Sequence, residues 1–407
     1  MDRKNAGRPL KWDVTIIGAG VIGLSIGNAL LESNPSLRVL IVEKEPNLGF
    51  HASGRNSGVI HAGFYSSPDS LKAKFCRDGN RELRKLCVRN NIPILETGKV
   101  VVTQNEDEEL RLETLFERGL ENGVELEMHE AESLSSFEPQ ARTLNRFLWS
   151  PTTAVSNPDA VLISMAKEFA DKGGKIEYGQ NVALIENDSE ICIDKSYFEA
   201  RFYVNASGAQ SDRISRAVGV GLEYAMLPFM GVYRATPNNL FGLKTLVYPV
   251  PHPINPFLGV HFTLTTDGKV KIGPTAIPIS GREQYSLATG WSLSDLYQAI
   301  RGAKSLVLGD SHDVLSIVRS EWPKMIEKEI VKQASQLVPN ASNLRNWQKK
   351  PPGIRSQLVH LPSGKLEQDF KVIKKLNSLH VLNAVSPGWT SSVPFGRYVA
   401  DLVGPIN

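Results

Sequence analysis

Six residues near the start of the chain, Gly18-Ala19-Gly20-Val21-Ile22-Gly23, have the types and spacing to hold a pyrophosphate. Gly18 permits a tight turn, Gly20 lets backbone approach a phosphate, and Gly23 lets a helix pack closely on a strand. Glu43, with Lys44 beside it, follows where a carboxylate can accept hydrogen bonds from ribose hydroxyls and repel a 2′-phosphate. Further along, His261 in GVHFT lies among apolar neighbours. Burial there favours a neutral imidazole, which can take a proton, although the pattern alone reads equally as a core histidine satisfied by backbone. Arg355 in PPGIRSQ offers a guanidinium able to grip a carboxylate with two parallel bonds; its alternative is a surface arginine beside Lys349 and Lys350.

These residues need elements to position them. DVTIIGAG (Asp13 to Gly20) reads as a buried strand running into glycines, VIGLSIGNALLES as a helix, and LRVLIVEKE as a second buried strand. Strand, glycine turn, helix and strand make a βαβ unit, and the helix start at Val21 offers free N–H groups to phosphates. The stretch from Ser70 to Asn91 has helical spacing, with Leu71, Phe75, Leu83 and Leu86 inward. EDEELRLETLFERGLENG reads as an amphipathic helix with Leu110, Leu115 and Leu120 inward and a solvated acidic face. Asn157 to Asn187 repeats helix, glycine turn and strand, and VNASGAQSD, which holds Ser207 and Gly208, is another strand-to-glycine turn. Residues 225–290 look like a sheet with hairpins, one turning at Asp267-Gly268, and 291–345 look mostly helical. Similar units at both ends with β-rich sequence between them predict a discontinuous nucleotide domain: α/β, α+β overall, with an inserted, mainly antiparallel β domain plus helices. The expected division is 1–95, 151–215 and 346–407 against 96–150 and 216–345.

The glycine motif does not choose between NAD and FAD. The second glycine turn, the strand start at Asn181-Val182 and the long loop His51 to Tyr65 all favour FAD, which needs contacts from scattered segments. Composition excludes other classes. The 407 residues are 41% hydrophobic and 22% charged, with a net charge of +3, so nothing points to nucleic acid. The three cysteines, Cys76, Cys87 and Cys192, have no CxxC spacing, and the eight histidines are scattered, so neither a disulfide framework nor a metal site is expected. No signal peptide is read in MDRKNAGRPLKW, and no apolar run reaches the length of a membrane span. A cytoplasmic protein, at most seated on a membrane surface, is the expectation.

Five stretches taken together resemble a known family: SGRNSGVIHAGFYSSPDSLKAKFC, YPVP with FLGVHFT, DGKVKIGPTA, GIRSQLV and NAVSPGWTSS. They resemble the L-2-hydroxyglutarate dehydrogenases and oxidases, within the D-amino-acid oxidase superfamily of FAD-dependent enzymes, over nearly the whole chain. The resemblance implies oxidation of an L-2-hydroxy acid, most simply L-2-hydroxyglutarate to 2-oxoglutarate, by hydride transfer from Cα to flavin N5. The alternative is oxidation of an amino acid or secondary amine. It places Ser53, Asn56, Ser57 and Gly58 along the FAD, His61 near its reactive ring, and Gly353, Gly388, Thr390 and Ser391 among its C-terminal contacts. It raises His261 as the base, with His61 as runner-up, and Arg355 as the carboxylate anchor. Tyr65, Tyr248, Trp389 and Thr390 are the other substrate candidates. The electron acceptor implied is oxygen, a quinone or a carrier protein. The chain departs from the family at Arg55, usually histidine, at Leu264 to Thr266, often containing Pro-Arg, and at Gly388-Trp389, commonly two alanines. These departures bear on the substrate.

Overall fold

The strand Trp12–Ile17 is buried along nearly all its length, as a central parallel strand covered on both faces must be. The computed structural model describes residues 12–187, 190–193, 196–252, 258–286, 289–309, 319–345 and 347–406, the side chains of 183–199 excepted. Trp12–Ile17 pairs in parallel with Val39–Val42 on one side and with Ser196–Asn205 on the other. Lys175–Glu177 extends the sheet beyond Val39–Val42, and Ser378–Asn383 adds in parallel beside Ser196–Asn205. The N- and C-terminal parts of the chain therefore meet in one sheet. The helix Val21–Ser33 packs against Pro158–Asp171 and Ser392–Val403. Its apolar residues and those of its neighbours, among them Leu24, Ile26, Phe169 and Phe395, form one continuous core.

A second sheet has eight strands among the described residues and is antiparallel except where Leu246–Pro249 runs beside Lys99–Val102. Its centre is the hairpin His261–Leu264 and Val270–Gly273, turned at Asp267-Gly268 as the sequence predicts. The helices Glu106–Glu121 and Glu327–Leu337 bring Leu112, Leu115, Ile330, Ala334 and Leu337 into one core with Val100, Val247, Phe262 and Ile272 of this sheet. A third sheet joins Tyr224–Gly231 to Gly353–His360 through eight antiparallel residue pairs, with the helix Leu293–Leu308 packed on it. The short strand Val59–Ile60, inside the long loop, pairs with Ala154–Ser156.

One reading changes. Leu110 and Leu120 of the acidic helix are exposed, and Leu112 joins Leu115 inward. A spacing of five residues turns a helix well past one face, whereas 112, 115 and 119 share one. Cys76 and Cys87 are buried free thiols, while the side chain of Cys192 lies outside the described residues, as do Phe257 and the first eleven residues. A buried ion pair between Arg282 and Asp212 fastens the segment after the hairpin to the turn after Ser196–Asn205.

Candidate active site

The first turn is built for close approach. Gly18 has φ +103, in the left-handed region. A Cβ on Gly23 would lie 2.0 Å from the Gly18 carbonyl oxygen, so no larger residue lets the helix start this near the strand. Gly20 caps that helix in extended conformation without a side-chain cap. The N–H of Val21 donates to Ser53 Oγ at 3.0 Å, which draws the long loop over the helix start. Glu43 accepts from the N–H groups of Ala19 at 2.8 Å and Glu45 at 3.0 Å, which fixes its carboxylate beside the glycine turn.

A cavity of about 730 Å³ is walled by these turns and by the second and third sheets. Of the residues expected around the cofactor, Gly18, Gly20, Val21, Ile22, Glu43, Lys44, Ser53, Asn56, Ser57, Val182, Ser207, Gly208, Gly353, Gly388 and Thr390 line it. His61, Tyr248, His261, Arg355 and Trp389 line it as well. Four expected residues do not. Gly23 packs on the strand end, and Gly58 packs on the Ser156 carbonyl. Tyr65 turns its ring to Phe64, at 4.2 Å between centroids, and Ser391 is buried at the start of the last helix. At Gly23 and Gly58 the backbone is taken up by packing on a neighbouring carbonyl, and for Tyr65 and Ser391 motif position did not fix which way the side chain faces.

His261 is nearly fully buried, and its Nδ1 lies 2.9 Å from the Gly259 carbonyl oxygen. A carbonyl only accepts, so Nδ1 carries the proton and Nε2 keeps its lone pair. Burial pulls the imidazole pKa down to about 3, the Gly259 bond opposing and the Lys99 charge assisting. Its ring stacks on Tyr248 at 3.8 Å. His61 is held well below the ordinary histidine range by burial and then by the charges of Lys99 and His261. Its backbone N–H donates to Thr390 Oγ1 at 3.1 Å, and that hydroxyl donates to the Val59 carbonyl at 3.2 Å. Thr390 thus ties the C-terminal loop to the long loop. Arg355 stands opposite Phe229 in the third sheet and donates from Nη2 to Gln357 Oε1 at 3.1 Å. Burial lowers its pKa to about 10, so it stays charged at neutral pH.

His51 acts as a strap. Its ring nitrogens lie 2.6 Å from Tyr285 Oη and 2.8 Å from Glu45 Oε1. Lys44 reaches Glu45 at 2.5 Å and Glu283 at 3.0 Å, so its ammonium is already engaged by two carboxylates. Sequence reasoning missed Lys99. It is fully buried, with Nζ 4.4, 4.5 and 4.8 Å from the ring centres of Phe64, Tyr65 and Tyr248. Burial pulls its pKa down to about 7, against the Cys76 thiol. Its only signal in the sequence is a lysine set directly before three valines.

The model for the family described as FAD dependent oxidoreductase matches residues 13–402. The chain belongs to that family. Two relatives of this FAD-dependent oxidoreductase are the L-2-hydroxyglutarate dehydrogenase of Escherichia coli strain K12 and the mitochondrial L-2-hydroxyglutarate dehydrogenase of Caenorhabditis elegans. Each is 34% identical to it, over 406 and 409 residues, covering 96% of this chain and 93% of the relative. The L-α-glycerophosphate oxidase of Mycoplasma pneumoniae, solved with FAD bound, shares the fold at TM-score 0.77 and 22% identity, covering 97% of this chain and 95% of that one. Glycine oxidase of Geobacillus kaustophilus does so at TM-score 0.71 and 20% identity, covering 96% and 94%. FAD is the cofactor, and the residues present fit it. The glycine turn and the helix start, which Gly20 leaves without a cap side chain and where Ser53 takes up only the Val21 N–H, suit a pyrophosphate, and the fixed Glu43 carboxylate suits a ribose.

Proposed function

We propose that this oxidoreductase converts L-2-hydroxyglutarate to 2-oxoglutarate. The observation that carries the reading is a neutral imidazole and a half-buried guanidinium on the wall of one cavity, in a chain whose full-length relatives are L-2-hydroxyglutarate dehydrogenases. FAD, when bound, accepts the two electrons and the hydrogen leaving the substrate Cα. The chain's own residues do the rest. Arg355 holds the carboxylate next to the reacting carbon, which fixes the orientation of that carbon. Nε2 of His261 takes the hydroxyl proton, with Nδ1 anchored to Gly259 and the ring held flat on Tyr248. His61 and Trp389 narrow the same space, and Thr390 keeps His61 in place. The cofactor-facing residues are those of the cavity wall, and Tyr248 is the substrate-facing tyrosine. In the same reading, residues 1–95, 151–215 and 346–407 chiefly hold FAD, and 96–150 and 216–345 chiefly hold substrate.

The test is anaerobic. The purified protein should be yellow and should lose its oxidised-flavin absorbance on addition of L-2-hydroxyglutarate. A yellow protein that bleaches only with amino acids or amines would replace this reading with the amine one.

We infer further a cytoplasmic protein seated on a membrane surface, with a quinone as acceptor. No helix among the described residues is long and apolar enough to cross a membrane. The helix Leu293–Leu308, however, turns Leu293, Tyr297, Ile300 and Leu308 outward. Such a face suits the interface of a bilayer, where an apolar acceptor resides.

A further inference from the structure

Strand register places a charged group on the sheet face that carries the neutral His261. In the central hairpin His261 faces Gly273 and Thr263 faces Lys271. Residues directly opposite share a face, and so do residues two apart along a strand, so His261 and Lys271 lie on one face. Lys271 stands one register step, about 7 Å along the strands, from His261. It lines a cleft of about 620 Å³ that shares Arg55, Asn56, Ser57 and Tyr233 with the main cavity. Arg55, Lys269, Lys271 and Lys350 face this cleft against two carboxylates, Asp159 and Asp267. Asp267 is engaged by Lys269 and by Thr265, whose hydroxyl donates at 2.5 Å. Arg55 lies on the Tyr285 ring at 4.0 Å. Lys271 makes no ion pair or side-chain hydrogen bond within the described residues. Its charge is disfavoured by burial and by Lys350 and Lys269, and favoured only by Asp267 and Asp159. A partly buried cation among cations is costly unless an anion joins it.

We propose that Lys271 is a specificity residue that takes the distal carboxylate of a 2-hydroxy dicarboxylic acid, while Arg355 holds the carboxylate beside the reacting carbon. This rests on the reading of the site given above and deepens it. A substrate with two methylenes between the hydroxyl-bearing carbon and its second carboxylate reaches from the His261 level toward Lys271. The surplus of positive side chains in the cleft complements a dianion.

Two measurements test this. The first compares the wild type, Lys271→Met and Lys271→Arg on L-2-hydroxyglutarate and on L-2-hydroxyvalerate, which keeps the chain length and lacks the distal carboxylate. With Lys271→Met, KM for L-2-hydroxyglutarate should rise about tenfold or more, with kcat nearly unchanged, while L-2-hydroxyvalerate is unaffected. Lys271→Arg should restore most of the difference. An unchanged KM, or an equal loss on both substrates, would overturn the proposal. The second needs neither turnover nor a variant. Binding of glutarate and of butyrate to the wild-type holoprotein is followed through the flavin spectrum. Glutarate should bind about tenfold more tightly, an advantage that 0.5 M salt weakens; equal binding overturns the proposal even if the variant does not fold. If no 2-hydroxy acid reduces the flavin but glutarate still binds tightly through Lys271, the oxidation reading fails and this one stands.

Discussion

His261 and Lys99 show how much one buried charge can set at the scale of a residue. The imidazole keeps Nε2 free because Nδ1 is spent on Gly259, and the ammonium among three aromatic rings makes a second proton on the histidine costlier still. Both effects favour a base ready at neutral pH. His261→Asn should therefore leave the protein yellow yet slow anaerobic flavin reduction by about 10²-fold or more, read by stopped flow. Unchanged reduction would remove His261 as the base and point to His61. Arg355→Lys in the same assay should raise the substrate concentration needed for half-maximal reduction and leave FAD content intact, because lysine cannot make two parallel bonds. Loss of FAD instead would make Arg355 a cofactor or structural residue.

At the scale of an element, the helix Leu293–Leu308 divides its two faces sharply. Ala299, Gly302 and Leu306 are buried, and Ala299 and Leu306 pack with Leu227, Phe229 and Val359 of the third sheet. Gly302 sits where a Cβ would touch Ala225 and Val359 at 3.6 Å, so the helix lies flat on that sheet. The opposite face carries Leu293, Tyr297 and Ile300 to solvent, with exposed Lys304 in line with them. The same helix therefore supports the strand that holds Arg355 and presents an apolar face with a basic residue. The protein should co-float with vesicles containing anionic lipid. The double variant Tyr297→Glu/Ile300→Glu should lose that association while keeping anaerobic flavin reduction by substrate. A wild type that stays at the bottom of the gradient would remove the membrane-surface reading.

For the whole molecule, buried neutral bases set the response to acid. His61, His261 and His380 all have pKa values below the ordinary histidine range, His261 at about 3 and His380 at about 4, with burial as the leading cause in each. The unfolded chain binds protons at these sites below about pH 6.5, and the folded protein does not. The stability that these histidines contribute is therefore complete above that pH and falls as pH drops through the window between 6.5 and 4. The loss is at most about 1.4 kcal/mol per pH unit for each histidine. Asp13, Glu45 and Glu283 have lowered pKa values, and their contribution fades only below the ordinary carboxylate range. Thermal unfolding of the holoprotein at pH 7 and pH 5 should show a clearly lower Tm at pH 5. An equal Tm at both would mean that these histidines are protonated in the folded state.

What depends on neighbours along the chain was legible before any fold was known. The turn at Gly18, the close packing at Gly23, the acid at Glu43, the hairpin at Asp267-Gly268 and the helix after Ser70 are each set by a few consecutive residues. Local dihedral freedom and hydrophobic period encode these directly. The mixed architecture followed from the order of those elements, and the FAD chemistry from motifs in a family's order. The tertiary structure alone decided which side chains meet. Lys99 in ETGKVVVTQ reads as an ordinary strand-end lysine until Phe64, Tyr65 and Tyr248 arrive from two distant segments to surround it. Lys271 becomes a neighbour of the His261 face only through hairpin register, and Tyr65 turns away from the cavity that its motif was expected to line. Strand register and the packing of one sheet on another set these encounters, and neither is written in any short stretch of residues.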